Sequence, residues 1–290
     1  MLIYEYGQQN KYEQPCVFLL GGFDGLHVGH KTLLDFAKTY RLPVGMMTIT
    51  GGKGDGLFTL PEREKIFAAN GVDFLLSVPF TEEFKNTSKE DFLRQLLARI
   101  NVAAFVCGKD FRFGAGAAGT PEFIREYTDR PVHALELLNI GGEKVAVHAV
   151  KKMLQEGNIE QANQLLLQPF FVGGKVETGR RVGRKLGFPT ANITYPAHKF
   201  PLKEGVYAAH AVLNGKEYGG IANFGACPTF EVIDRKIEVY FDGFEGDLYG
   251  KNIDVFFDWY IRDIVKFQSA EELTAELTRN LQSVREKRRK

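Results

Sequence analysis

The sequence predicts an α/β protein in two parts: a doubly wound parallel sheet, then a small antiparallel β-barrel with a C-terminal helix. In the first half, short apolar runs recur about every 30 residues with helical segments between them, which is typical of a parallel sheet. These runs lie at residues 17–20, 44–49, 73–78, 103–107 and 132–138. Beyond Pro169 the pattern changes to a period of two, and Asn214-Gly215 separates two alternating segments as a hairpin turn would.

The composition fits a soluble globular chain with two domains. The length of 290 residues suits about two domains, and the net charge of +1 gives no general attraction to nucleic acid or membranes. The three cysteines form no CxxC pair, which argues against a disulfide framework or a zinc site. The N-terminus has no signal-peptide pattern and no run is long enough to span a membrane, so the sequence predicts a cytoplasmic protein.

Helix boundaries are marked by capping and helix-breaking residues in both halves. These signals are Pro61 for a helix to about Asn70, Ser88 with Asp91, Thr120 with Pro121, Gly157 with Asn158, and Ser269 with Glu272. The last signal begins a helix with four apolar residues on one face, at Leu273, Leu277, Leu281 and Val284.

The stretch from Cys16 to Tyr40 contains the first candidate site. An apolar strand ends at Leu20, three glycines follow within five residues, and His27 and His30 begin a helix. A strand, a glycine turn and a helix N-terminus form an anion site, because free N–H groups and the helix dipole point at the loop. The two histidines lie three residues apart, so they share a helix face and can donate to one phosphate. The alternative is a pair of structural histidines with satisfied hydrogen bonds.

Two other glycine-rich stretches are predicted to be loops. GGKGDG at residues 51–56 is not a P-loop, because no Ser or Thr follows the glycine-lysine pair. GAGAAG at residues 114–119 matches the dinucleotide-binding GxGxxG pattern, but residues 109–113 separate it from the preceding strand. A dinucleotide-binding turn is therefore the weaker alternative for that stretch.

A second candidate site lies at residues 180–192, RRVGRKLGFPTAN. Its basic residues could form a solvated face or a nucleic-acid patch. Pro189, however, stiffens the chain, and Thr190 and Asn192 offer the hard oxygen donors that Mg²⁺ takes alongside phosphate oxygens. The basic C-terminus, REKRRK, is interpreted as a solvated helix end, with a nucleic-acid arm as the alternative.

The string GGFDGLHVGH resembles the first motif of the HxGH nucleotidyltransferases, and GKDFRFG at residues 108–114 resembles a later one. The resemblance implies that His27 and His30 stabilise the transition state at the α-phosphate while pyrophosphate leaves. It also implies nucleotide-binding roles for Gly22, Phe23, Asp24, Gly25, Asp110 and Arg112.

GRKLGFPTAN, together with IEVYF and GDLYG further on, resembles the riboflavin kinase domain. Nearly the whole chain therefore resembles the bacterial bifunctional riboflavin kinase/FMN adenylyltransferases, the prokaryotic FAD synthetase family. The resemblance implies that Thr190 and Asn192 hold Mg²⁺ and ATP, and that Glu238 is the base acting on the ribityl hydroxyl of the flavin. It assigns further nucleotide contacts to Arg184, Gly187 and Pro189.

Several positions depart from the family pattern. The FDPHP segment after the second strand is missing, and the third motif, ISSTxIR, is replaced by VAVHAVK at residues 145–151. Each lost donor of that kind could lower the rate by about 10²–10³. His148 and Lys152 are candidates for compensation. In the kinase domain Tyr240 replaces a histidine, and GACPTF at residues 225–230 replaces GTRPTF.

The sequence therefore predicts a riboflavin kinase, using ATP and Mg²⁺ to make FMN, with weak or lost FMN adenylylation. The alternatives are a fully bifunctional enzyme that makes FMN and FAD, and a flavin-sensing regulatory protein. The predicted domains are a nucleotidyltransferase domain at 1–157, a helical connector at 158–168 and a riboflavin kinase domain at 169–290. Riboflavin, FMN and ATP or ADP are the expected ligands, with FAD as a further candidate. No membrane or nucleic-acid partner is expected, and the oligomeric state is left open.

Overall fold

The computed structural model describes residues 1–289 apart from 53, 138, 141–142, 180–182, 184–185 and 229–232. The chain divides into two compact units. The N-terminal unit consists of residues 1–149 and 165–168, and the C-terminal unit consists of residues 150–164 and 169–290. None of the helices in the described part of the chain combines the length and hydrophobicity needed to cross a bilayer.

The N-terminal unit is built on a six-stranded sheet in which every neighbouring pair is parallel. Its strands are β1 (Leu2–Glu5), β2 (Tyr12–Leu20), β3 (Val44–Thr50), β4 (Phe74–Pro79), β5 (Ile100–Gly108) and β6 (Val132–Leu135). The order across the sheet is β1-β4-β3-β2-β5-β6. The predicted parallel sheet is confirmed, while β1 was not predicted because its four residues lack a sustained apolar run.

The predicted helix starts of this unit are confirmed, and one short helix, which begins after Thr81, was not predicted. The helices are α1 (Val28–Lys38), α2 (Leu60–Ala69), α3 (Glu82–Lys85), α4 (Lys89–Leu97) and α5 (Pro121–Tyr127), with a 3₁₀ turn at Ala115–Ala117. Thr59 and Glu62 form a capping box on α2, and the Ser88 hydroxyl accepts from the Asp91 N–H on α4. Local side-chain chemistry therefore fixes where these helices start.

The strand order reverses beside β2. From β2 the chain adds β3 and β4 on one side of the sheet, and it later places β5 and β6 on the other. A crevice forms at such a reversal, beyond the carboxyl ends of the strands, and ligands of parallel sheets bind there. The turn after β2 and the segment after β5 both reach this crevice.

A short ribbon and two helices follow the sheet. These elements are β7 (Asn139–Ile140), β8 (Glu143–Lys144), α6 (Val147–Glu156) and α7 (Ile159–Leu165). Gly157 follows α6 with φ 82°, a left-handed conformation that ends a helix, as predicted. The backbone of α6 begins in the N-terminal unit and ends in the C-terminal unit.

The C-terminal unit contains a closed barrel in the order β10-β13-β12-β11-β14-β9, as predicted. Its strands are β9 (Phe171–Glu177), β10 (Ala191–Thr194), β11 (Gly205–Leu213), β12 (Lys216–Pro228), β13 (Ile233–Phe241) and β14 (Asn252–Arg262). All six pairings are antiparallel. Asn214 and Gly215 have φ values of 51° and 78°, which form the predicted hairpin turn between β11 and β12.

The C-terminal helix α8 (Ala270–Arg288) covers part of the outside of the barrel. Val284 packs with Ala208 and Ile221 of the barrel wall. Arg285 donates to both carboxylate oxygens of Asp242 at 2.7 Å, and other basic residues of the helix end form ion pairs within the same unit. These pairings favour the helix-end interpretation of the basic C-terminus over the nucleic-acid arm.

A buried glycine in β3 tests the packing that supports the first site. A Cβ atom on Gly45 would lie 2.2 Å from the Phe74 ring and 2.7 Å from Phe18. Gly45→Ala should therefore lower the free energy of unfolding by about 1–3 kcal/mol, the usual cost of overpacking. Gly52→Ala is the control, because a Cβ there meets nothing within 4 Å. Equal stability of the two variants in thermal unfolding would contradict this account of the sheet packing.

Candidate active sites

The first site is a cavity of about 300 Å³ at the carboxyl ends of β2 and β5. Glycine-turn residues contribute one wall, and the segment after β5 contributes another. Six of the predicted residues line this cavity: Gly22, Phe23, His27, His30, Asp110 and Arg112. The structure therefore brings two motifs more than 75 residues apart in the chain to one place, the crevice at the strand reversal.

The two histidines form a stacked pair at the start of α1. Their ring centroids lie 3.6 Å apart, and the Phe23 ring contacts the His30 ring edge-on with centroids 4.8 Å apart. His27 is the N-cap residue of α1, and only 3% of its surface is exposed. The first turn of α1 contains no acidic residue, so no carboxylate of the helix itself offsets the positive end of its dipole.

Asp24 and Gly25 do not line this cavity. The Asp24 carboxylate instead accepts from the Leu57 N–H at 2.8–2.9 Å and pairs with the Arg63 guanidinium. Gly25 packs against the Phe58 ring, which a Cβ at that position would approach to 2.8 Å. In this structure both residues contact residues 57–63 and not the cavity, so they stabilise the turn. Their predicted nucleotide contacts stay a prediction.

Arg63 holds this turn in place. It is 6% exposed, and it donates to the Phe58 carbonyl, the Ile49 carbonyl, the Thr48 hydroxyl and Asp24. Thr48 in turn donates to the Phe23 carbonyl at 2.8 Å. Burial lowers the pKa of Arg63, while the neighbouring carboxylate of Asp24 opposes this shift. Arg63 of α2 thus links Asp24 of the glycine turn to β3 and to the loop before α2.

The residues aligned with the third motif lie at the same cavity. Val145, Ala146 and Val147 line it, and none of them has a polar side chain. Helix α6 begins at Val147, however, and the first N–H groups of a helix have no partner within the helix. His148 is exposed and outside the cavity lining, and Lys152 pairs with Glu156. The start of α6 therefore lies at the cavity, whereas neither of these two side chains lines it.

A second, more apolar cavity of about 340 Å³ adjoins the first. The two share Gly22, Phe111 and Arg112. The adjoining cavity is lined mainly by aromatic and aliphatic side chains, among them Phe80, Phe84, Phe92, Phe113, Met47 and Ile49. Such a surface suits a flat aromatic group held beside a phosphate site. These phenylalanines could not be found from the sequence, because they are scattered over two loops and two helices.

A cavity of about 550 Å³ in the C-terminal unit lies against β10 and the loop after β13. Pro189, Thr190 and Asn192 of the predicted site line it, together with residues 244–249, which include most of the GDLYG segment. Gly187 adopts φ 80° in the preceding turn and does not line the cavity. Arg184 lies outside the described residues.

A neighbouring cavity of about 270 Å³ lies on the outside of the barrel beside α8. Thr190 lines both cavities, and Glu238 lines the smaller one. The pairing register places Asn192 opposite Glu238, and Glu238 opposite Asn223 on the next strand. Residues paired in this way point to the same face of a sheet. The predicted metal residue and the predicted base are therefore neighbours across two strands.

The alternation along β13 explains why Glu238 reaches the cavity. Ile237 and Val239 are fully buried inside the barrel, whereas Glu238 is exposed and Tyr240 is half-buried on the outside. Burial, and then the neighbouring carboxylate of Asp242, raise the pKa of the Tyr240 hydroxyl, so this group is neutral near pH 7. Glu238 is thus the carboxylate that this strand offers to the smaller cavity.

Asn192 is 8% exposed, and its side-chain nitrogen donates to the Thr190 carbonyl at 3.4 Å. A Cβ on Gly179 would lie 2.5–2.7 Å from the Asn192 amide group, so the glycine allows the chain to pass close over it. With its nitrogen held by the backbone, the amide oxygen of Asn192 is the atom left to coordinate a cation. The Thr190 hydroxyl is a second oxygen donor nearby, so the residues present fit a magnesium ion bound with phosphates.

Comparison with known proteins shows the same two-part organisation. A family model described as FAD synthetase matches residues 9–149, and a model described as riboflavin kinase matches residues 166–287. The bifunctional riboflavin kinase/FMN adenylyltransferases of Escherichia coli K12 and Bacillus subtilis are each 33% identical to this chain. The alignments cover 94% of this chain and 93% and 92% of those proteins.

Among solved structures, a crystal structure described as a macrolide-efflux protein from Streptococcus pneumoniae has a TM-score of 0.86 and 26% identity. The structural alignment covers 96% of this chain and 97% of the Streptococcus pneumoniae chain. The curated relatives carry both activities in their names and align over nearly the whole chain. These findings favour the fully bifunctional alternative over weak or lost adenylylation.

The Asp24–Arg63 pair can be tested by a double-variant cycle. Arg63→Met should lower the free energy of unfolding by about 3 kcal/mol, because it leaves the half-buried Asp24 carboxylate without its cation. Arg63→Met combined with Asp24→Asn should recover part of this loss, since the uncompensated charge is then gone while the Phe58, Ile49 and Thr48 acceptors still lack their donor. The stabilities follow from urea unfolding of each variant. Simple addition of the two single effects would contradict the coupling described above.

Proposed function

Since the chain belongs to the bifunctional riboflavin kinase/FMN adenylyltransferase family and is a transferase, we propose that it catalyses both reactions. In the first, ATP phosphorylates riboflavin to FMN. In the second, FMN attacks the α-phosphate of another ATP to give FAD and pyrophosphate. We assign the second reaction to residues 1–157 and the first to residues 169–290. The observation that carries the kinase assignment is Thr190, which lines both cavities of the C-terminal unit.

The kinase reaction follows from these neighbouring cavities. ATP fits the larger one, where Phe241, Phe244 and Tyr249 offer an apolar wall to the adenine. The flavin fits the smaller one, and its terminal hydroxyl then points at the boundary marked by Thr190. Glu238 accepts the proton of that hydroxyl as its oxygen attacks the γ-phosphate. Phosphoryl transfer depends mainly on positioning the substrates and neutralising the charge of the phosphates. Beyond this, the reaction requires one carboxylate that orients the attacking hydroxyl and accepts its proton.

We propose Mg²⁺ as the metal of the kinase, held by Thr190 and Asn192 together with the phosphates of ATP. When bound, the ion would neutralise charge on the phosphate oxygens. Asn192 contributes its amide oxygen, since its nitrogen faces the Thr190 carbonyl. The close approach of Gly179 keeps this amide in place. Arg184 and Gly187 are retained as nucleotide contacts of the preceding loop.

The adenylyltransferase reaction uses the two adjoining cavities of the N-terminal unit. The phosphates of ATP lie at the start of α1 against His27 and His30, and Asp110 and Arg112 complete this wall. The isoalloxazine ring of FMN enters the aromatic cavity, with Arg112 at the boundary. As charge moves onto the leaving pyrophosphate, the first N–H groups of α6 donate in place of the lost hydroxyl side chains.

The apolar side chains at Val145, Ala146 and Val147 support the second candidate, a kinase with weak adenylylation. A flavin sensor would not need a base, so Glu238 beside the nucleotide cavity favours an enzyme over this third hypothesis.

The free thiols of Cys16 and Cys107 are buried, and burial raises their pKa values to about 12, so they stay protonated. Reduced cysteines support the cytoplasm as the compartment.

The base can be tested against a neighbouring carboxylate. Glu238→Gln should lower FMN formation by at least about 10², the usual effect of removing a general base, and leave ATP binding unchanged. Glu177→Gln is the matched control, because the register places Glu177 in the same row, on the other side of Asn192. It lines neither cavity, so its turnover should stay within about twofold of the parent. A Glu238→Gln enzyme with near-normal turnover would refute the assignment.

The adenylyltransferase site has an internal control in the same molecule. His30→Ala should lower FAD formation from FMN by about 10² or more, because it removes a donor to the α-phosphate. FMN formation should be unchanged, since the kinase cavities lie in the other unit. His148→Ala should affect neither reaction, because that side chain is exposed and does not line the cavity. Loss of FAD formation in His148→Ala, with His30→Ala still active, would reverse the assignment.

A further inference from the structure

Two pairs of side chains on the outside of the barrel form a square on β12 and β13. Asn223 is opposite Glu238, and Ile221 is opposite Tyr240. Since alternate residues of a strand point to the same face, all four project outward, and all four line the smaller cavity. One side of the square is polar, and the other is largely apolar.

The other residues that line the cavity show the same separation into a polar side and an apolar side. Ile221 and Tyr240 lie beside α8, which contributes Leu273 and Leu277 to the lining. The Phe188 ring packs edge-on against Tyr240 with centroids 5.1 Å apart. A flavin has the same division, since its ring system is flat and largely apolar and its ribityl chain carries hydroxyls. Its ring therefore matches the Ile221–Tyr240 side, and its chain matches the Asn223–Glu238 side.

We propose that Asn223 is a specificity-determining residue that hydrogen-bonds the hydroxyls of the ribityl chain next to the one that Glu238 deprotonates. This inference rests on the riboflavin kinase activity proposed above. Within the described part of the chain, the side chains of Asn223 and Glu238 make no hydrogen bond to another protein group. Both are exposed to the cavity, and so both are free to bind a ligand.

The chemistry of the two groups is complementary. An ionised carboxylate only accepts hydrogen bonds, whereas an amide both donates and accepts. Side chains opposite one another on neighbouring antiparallel strands have Cβ atoms about 4.5–5.5 Å apart, so one short chain of hydroxyls can reach both. Glu238 thus acts on the terminal hydroxyl, and Asn223 holds the chain at hydroxyls nearer the ring. A flavin without those hydroxyls loses the Asn223 contact and keeps the ring contacts.

The test compares two flavins that differ only in the chain. Riboflavin and lumiflavin, which has a methyl group in place of the ribityl chain, are titrated onto the full-length protein with Mg-ADP present. Flavin fluorescence gives the two dissociation constants. Asn223→Ala should weaken riboflavin binding about five- to tenfold, the effect of one or two lost neutral hydrogen bonds, and leave lumiflavin binding unchanged. Asn252→Ala, an exposed asparagine on β14 that lines neither cavity, should change neither constant.

Equal weakening of both flavins in Asn223→Ala would overturn the inference, because it would mean that Asn223 only shapes the cavity. Unchanged riboflavin binding would overturn it as well. Asn223→Ser keeps a hydroxyl group and should recover part of the riboflavin affinity. FMN formation by the parent protein distinguishes a failure of this inference from a failure of the proposed kinase activity. If the parent makes FMN but Asn223→Ala binds riboflavin normally, only the role of Asn223 fails; if the parent makes no FMN, the kinase proposal itself fails.

Discussion

The buried pair between Asp24 and Arg63 is the interaction on which the first site depends. A glycine turn has little conformational preference of its own, so it needs external contacts to present its N–H groups in one arrangement. Arg63 supplies one by binding Asp24 on the turn while it also binds the backbone carbonyls of Ile49 in β3 and Phe58 before α2. The cost of burying the guanidinium is offset because four of its N–H bonds meet acceptors. The histidines at the start of α1 then lie opposite the segment after β5.

In the C-terminal unit, the side chains of the site are positioned by a sheet and not by a glycine turn. A barrel wall fixes the direction of every second side chain, so Asn192, Glu238 and Asn223 are placed side by side by strand register alone. The interior of the barrel is filled by their neighbours in the chain, such as Ile193, Phe224 and Val239. Thr190, just before β10, then joins the two cavities that the row faces. The site is therefore a consequence of barrel closure.

The sequence predicted the parts of this molecule that local chemistry decides. Caps such as Ser88 and Ser269, and the turn at Asn214-Gly215, act within a few residues, and all form as expected. The glycine turn and the PTAN segment were found because their residues are consecutive. Arg63 was missed, since only the folded sheet shows that a helix arginine reaches the turn. The hypothesis of weak adenylylation counted missing side chains at residues 145–151 and left out the backbone donors at the start of α6.

We propose that the N-terminal site catalyses FMN adenylylation although residues 145–151 contain no hydroxyl side chain. This proposal is tested by the turnover of the unaltered protein with FMN and Mg-ATP, measured by chromatographic separation of FAD. We expect an ordinary enzyme rate, on the order of 1–10 s⁻¹. A rate lower by about 10⁴ or more, the combined effect of two lost transition-state donors, would contradict it. The chain would then be a riboflavin kinase whose N-terminal unit binds nucleotide without efficient transfer.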